Sequence, residues 1–166
     1  MEGLLVHCGA QKLTRKELAE IRTPDGTETH HPIPHIEIVD SLLETLAFRH
    51  INIVRDEYAV SQDGMKLFGV AELEATFEGC RFAIGIRNSN DKSLRLGLTV
   101  GYRVCVCDNL AFQGDFSPVL AKHSKHFNLL DALAVGVDRM QRSFEPMRRQ
   151  VEAWRRTQLA DGEAQL

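Results

Sequence analysis

Between Arg81 and Phe116 the chain reads RFAIGIRNSNDKSLRLGLTVGYRVCVCDNLAFQGDF. Two apolar, β-rich runs, Arg81–Arg87 and Leu94–Cys107, flank a polar knot, Asn88-Ser89-Asn90-Asp91-Lys92-Ser93. A second polar knot, Asp108-Asn109, follows the second run. Turn-forming residues between alternating apolar runs are the pattern of antiparallel strands joined by hairpins. Gly97 and Gly101 lie inside the second run, where glycine marks a bulge, a bend or a close backbone approach.

The flanks supply more strands and the helices. Thr14-Arg15-Lys16-Glu17 fits a capping box, which predicts a short helix over Arg15–Arg22. Thr23-Pro24-Asp25-Gly26 ends it, and Pro32 and Pro34 hold the following segment extended. A second helix is expected from Pro34 or His35 to Phe48, on the helical spacing of Ile36, Val39, Leu42, Leu43 and Leu46. Ile51–Val54 and Glu57–Ser61 read as short strands. Asp63-Gly64 is a favoured hairpin pair leading into a strand over Lys66–Phe77, and Glu78-Gly79 is another turn. From Leu130 the apolar residues Leu133, Val137, Met140, Phe144, Met147, Val151 and Trp154 alternate steps of three and four, a heptad seam. Pro146 should kink or break that helix. Helices, then a strand meander, then a long helix argue an α+β fold. The expected architecture is an antiparallel β-meander with N-terminal helices and a long C-terminal helix packed on it, in one domain over residues 1–160, with 161–166 a fraying tail.

Composition narrows the function classes. At 166 residues the chain can bury one sizeable core but not two ordinary ones. A net charge of -3 excludes a global electrostatic footprint for nucleic acid and leaves only local basic patches. No apolar run approaches the roughly 18 residues of a membrane span, so no membrane partner is expected. The N-terminal run MEGLLVHCGAQKLTRKEL has no basic leader with a long apolar stretch. Cys8, Cys80, Cys105 and Cys107 are therefore expected as reduced thiols in the cytoplasm.

The run Arg87–Ser93, followed by Gly101-Tyr102-Arg103-Val104-Cys105-Val106-Cys107-Asp108-Asn109-Leu110-Ala111-Phe112, resembles the domain of unknown function 932 family of phage/plasmid-like proteins. Thr23-Pro24 and Thr29-His30-His31-Pro32-Ile33-Pro34-His35 also fit that family's entry to its first long helix. The resemblance covers roughly residues 14–145 and departs at Asn90, where relatives often carry histidine. The family has no established biochemical activity; the resemblance implies a phage or plasmid context, and with it DNA metabolism.

Candidate sites follow from residue chemistry. Asn88, Ser89, Asn90, Asp91 and Lys92 offer hydroxyl, amide, carboxylate and ammonium groups within one turn, although such residues also make turns by bonding their own backbone. Asp108 and Asn109 carry the same two readings. His30, His31, His35, His123 and His126 could ligate a metal, but no carboxylate–histidine signature accompanies them, and neither metal nor cofactor is expected. Cys105 and Cys107 would share one strand face and are read as core. The net basic region is C-terminal: Lys122 and Lys125, then Arg139, Arg142, Arg148 and Arg149, with Arg155 and Arg156 beyond. Together with Arg87, Lys92 and Arg95 these are the candidate phosphate contacts, set against the plainer reading of a solvated helix face. Three functions compete. The first is a non-catalytic, oligomeric module binding single-stranded nucleic acid in phage or plasmid recombination or replication; its element order is compatible with single-strand-annealing proteins. The second is a structural protein joining copies through its C-terminal helix. The third is a small metal-dependent enzyme, for which no nucleophile–base pair or complete ligand set is present.

Overall fold

The computed structural model describes residues 10–77, 79–104, 110–112 and 119–156. Seven strands form a single antiparallel sheet: β1 (Gln11–Leu13), β2 (Ile53–Val60), β3 (Lys66–Phe77), β4 (Cys80–Ser89), β5 (Leu96–Val104), β6 (Leu110–Phe112) and β7 (Val119–Ala121). The first six lie in chain order. Both β6 and β7 pair with the same strand, β6 along Gly101–Arg103 and β7 along Leu96–Leu98. Helices α1 (Arg15–Ala19), α2 (His35–Phe48) and α3 (Leu129–Arg156) complete the described chain. The α+β architecture expected from the sequence is the one observed.

Local chemistry explains most boundaries. Thr14 caps α1 as expected: the Glu17 amide donates to Thr14 Oγ1 at 3.3 Å, and Glu17 Oε2 accepts from the Thr14 amide at 2.7 Å. The helix stops at Ala19 rather than Arg22, because the Glu20 and Ile21 amides turn back to the carbonyls three residues earlier. Helix α2 spans the predicted residues. It ends in a Schellman motif, with the Ile51 amide on the Leu46 carbonyl at 2.9 Å and the His50 amide on Ala47 at 3.0 Å. His50 occupies the left-handed position there, with φ 57°.

Three expectations need correcting. The two short strands expected around Arg55-Asp56 are one strand, β2. Its polar middle is paired across to Glu72 and Ala71, and only a register shift near Ile53 marks the break seen in sequence. Pro146 does not end the last helix, which continues to Arg156. Proline removes one amide donor, while Met147 and Val151 beyond it remain buried against the core and hold the final turns in place. Asn88 and Ser89 belong to β4 rather than to the turn that follows it.

Strand alternation divides the sheet into two faces. One carries Tyr58 and Val60, Leu67 and Ala71, Phe82, Ile84 and Ile86, and Leu96, Leu98, Val100 and Tyr102. Ile38, Val39, Leu42 and Leu46 of α2 and Leu133, Val137, Met140, Met147 and Val151 of α3 join them in a single core cluster. Most of the heptad seam is therefore consumed within the chain, while its ends, Leu130 and Trp154, are exposed. Gly136 lets α3 approach β7: a Cβ at that position would lie 2.3 Å from Val119 Cγ2.

Candidate functional site

The face of the sheet turned away from the helices carries the strand charges. By register it holds Arg55 and Glu57 of β2, Phe68, Val70 and Glu72 of β3, Arg81, Ala83, Gly85 and Arg87 of β4, and Gly97, Thr99, Gly101 and Arg103 of β5. Exposure there is uneven: Ala83 and Val70 are buried, whereas Phe68 and Arg87, direct cross-strand partners, are exposed. Phe68 is 43 % exposed. On the far side Arg87 pairs with Gly97. A Cβ at Gly97 would lie 2.9 Å from Arg87 Nε and 3.2 Å from its Cγ, so the missing side chain is what lets the arginine lie along the sheet. Arg95, just before β5, is exposed and in phase with Gly97, and Lys66 is in phase with Phe68 on β3. An exposed ring flanked by guanidinium and ammonium groups can stack a planar base and hold a phosphate.

The same face is ionic farther along. Glu72, nearly fully buried, lies 2.8 Å from Arg103 Nη1, with Arg81 at 3.8 Å and Arg55 at 4.0 Å. Arg55 also bonds Glu57 at 3.0 Å.

At one end of the core lies a buried polar clasp. His35 Nε2 donates to the Gly64 carbonyl at 2.9 Å, which leaves Nδ1 to accept from Asn88 Nδ2 at 2.9 Å. Asn90 accepts from the Ile33 amide and donates to the Ile33 carbonyl, each at 3.1 Å. His30 Nε2 donates to the Asn90 carbonyl at 3.2 Å. His123 stacks on His30 with ring centroids 5.6 Å apart, and neither of its nitrogens has a hydrogen-bond partner. Burial lowers the pKa of His35, and burial, with His30 and His35 nearby, lowers that of His123 to about 4. Asn88 and Asn90 of the polar knot thus fasten the proline-held segment to the sheet. Among the described residues no three His, Cys, Asp or Glu side chains are grouped to hold a metal ion.

The other candidates are dispersed. Asp91 accepts from Ser89 Oγ and from the Ser93 amide, and pairs with Lys66 at 3.2 Å. Burial pushes its carboxyl up, but these bonds outweigh burial and hold it well below the usual carboxylate range. Lys92, exposed in the turn, has φ 66°. Lys122 and Lys125 are exposed between β7 and α3; Lys125 edges a groove of about 590 Å³ lined also by His31, Pro34, Ser41, His126 and Phe127. Arg139, Arg142, Arg148 and Arg149 stand exposed on α3, on the opposite side of the sheet from Arg87. Glu145 shares its carboxylate between Arg149 at 3.1 Å and Arg148 at 4.0 Å. The expected basic set is therefore split over two surfaces. Asp108, Asn109, Cys8, Cys105, Cys107, the Ser117-Pro118 connection and the tail at 161–166 lie outside the described residues. Sequence reading missed Phe68 and Glu72; each was counted as an ordinary strand residue, and only pairing with β4 puts arginines beside them. Among the described residues no helix is long and apolar enough to cross a membrane.

Comparison with protein-family models, with curated proteins and with solved structures finds no match for this chain.

Proposed function

We propose that this protein is a non-catalytic module that binds single-stranded nucleic acid in the cytoplasm, serving recombination or replication in the phage or plasmid setting of the domain of unknown function 932 family that its Arg87–Ser93 and Gly101–Phe112 runs resemble. One observation carries the reading: an exposed phenylalanine, Phe68, paired directly across the ladder with an exposed arginine, Arg87, that lies along Gly97. Stacking on a ring is tolerant of base identity, and arginine contacts to phosphate carry no sequence information, so binding is expected to be sequence-tolerant and salt-sensitive. Arg95 and Lys92 extend the basic border of this corner, while Lys66 is paired with Asp91. The arginines of α3 are secondary, because Glu145 already shares its charge with two of them. Assembly of copies through the heptad seam is the weaker reading, since Leu133, Val137, Met140 and Met147 are spent on this chain's own core.

The test is fluorescence anisotropy of a labelled single strand at low and moderate salt. Wild type should bind at low salt. Phe68→Ala should weaken binding about tenfold, matching loss of roughly 1–3 kcal/mol of stacking. Arg87→Glu should weaken it further. No binding by wild type at low salt rejects the proposal; undiminished binding by both variants rejects this corner as its site.

A further inference from the structure

We infer that Arg55 and Arg81 form a second site on the same sheet face, a seat for a phosphate group built around buried Glu72. Three guanidiniums converge on that one carboxylate. Among the described residues its one close bond goes to Arg103, at 2.8 Å; Arg81 and Arg55 stand at 3.8 and 4.0 Å, beyond ordinary hydrogen-bonding reach. Glu57 takes one edge of Arg55 at 3.0 Å. Among the described residues the Arg81 guanidinium has no acceptor within hydrogen-bonding distance, and its Nε is enclosed.

Geometry favours an oxyanion as the partner for the exposed parts of these two side chains. Arg55 and Arg81 flank Glu72 from the strands on its two sides, and their side chains are 38 % and 35 % exposed, so solvent and solute reach them. Arg103, 8 % exposed, is the buried member that anchors the carboxylate. Glu72 thereby holds two guanidiniums beside one carboxylate; counting Glu57, three arginines face two carboxylates among the described residues and leave one net positive charge on this patch. A phosphate offers several acceptor oxygens and up to two negative charges, which matches two forks better than a single carboxylate does. A second carboxylate from a ligand would satisfy fewer donors in the same space. The phosphate could belong to a nucleic-acid backbone or to a free phosphorylated molecule; the first source rests on the function proposed above, the second does not.

Thermal melting in inorganic phosphate and in tripolyphosphate, against sodium chloride of equal ionic strength, tests the seat. Both phosphates should raise the melting temperature of wild type beyond the chloride control, through binding to the folded state alone. Arg81→Gln and Arg55→Gln, which keep length and lose the charge, should fold by circular dichroism and lose that shift, with affinity down tenfold or more. Arg148→Gln, on the other side of the molecule, should keep it. A wild type that responds no more to phosphate than to chloride overturns the site, as does an Arg81→Gln variant with the full shift. Anisotropy with the labelled strand on the same variants assigns the source. If Arg81→Gln weakens strand binding and tripolyphosphate competes with the strand, the seat holds a backbone phosphate. If Arg81→Gln loses the phosphate shift while strand binding is unchanged or absent in wild type, the seat serves a free phosphorylated molecule. The nucleic-acid reading then stands or falls on Phe68 and Arg87 alone.

Discussion

His123 is a base kept neutral by its surroundings. With its pKa lowered to about 4 in the fold and an ordinary value of 6.5, the unfolded chain takes up a proton first as pH falls. Above about pH 6.5 the ring is neutral in both states and its contribution is complete; stability is lost as pH falls toward 4, and the loss ends below that. The full span is worth about 3 kcal/mol. Urea denaturation at pH 7, 5.5 and 4.5 should show this decline in wild type and a shallower one in His123→Phe; equal declines would mean the ring is not held neutral. His50 offers a contrasting case, since its difficulty is backbone and not charge. In the left-handed cap position glycine carries no Cβ penalty, so His50→Gly should stabilise by about 0.5–1 kcal/mol in the same assay. No gain would mean that the imidazole compensates for the strain.

Among the elements, α3 is set by what lies under it. A glycine inside a helix ordinarily costs about 1 kcal/mol relative to alanine, so Gly136→Ala would be expected to help. Here the added Cβ would stand 2.3 Å from Val119 Cγ2, and either the helix or β7 must move. The substitution should therefore destabilise, by about 1–3 kcal/mol, and thermal melts will show the sign. A rise in melting temperature would mean that β7 yields freely. Pro146 belongs to the same argument. Its local preference argues a kink or break, but the helix continues through it, because burial of Met147 and Val151 on the following turns prevails over one missing hydrogen bond.

Over the whole molecule, charge is partitioned by the sheet. The arginines of α3 and those of β2, β4 and β5 cannot touch one ligand at the same point, since the core lies between them. Each phosphate contact released from a single strand should flatten the logarithmic salt dependence by about 0.7. Arg87→Glu is expected to flatten it by at least that amount, while the Arg148→Glu, Arg149→Glu pair leaves the slope near wild type. The reverse pattern, read from anisotropy at four salt concentrations, would place the ligand on the helix side.

Much of this was legible in the residues themselves. Period-two alternation gave away β3, β4 and β5, the Thr14–Glu17 box marked the start of α1, and the three-four spacing of α3 named Leu133, Val137, Met140, Phe144 and Met147 as a buried stripe, of which all but Phe144, which is half-buried, are buried. These are local signals: each depends on neighbours within one or two turns, or on one strand's own alternation. The site was not local. Asn88 and Asn90 read as turn residues until His30, Ile33 and His35, more than 50 positions earlier in the chain, supplied their partners. Phe68 became half of a platform only through register with Arg87, and Glu72 became a hub only because three strands bring Arg55, Arg81 and Arg103 around it. Strand pairing is chosen by burial of the whole sheet face at once, so which charges meet across the ladder was a decision of the tertiary structure.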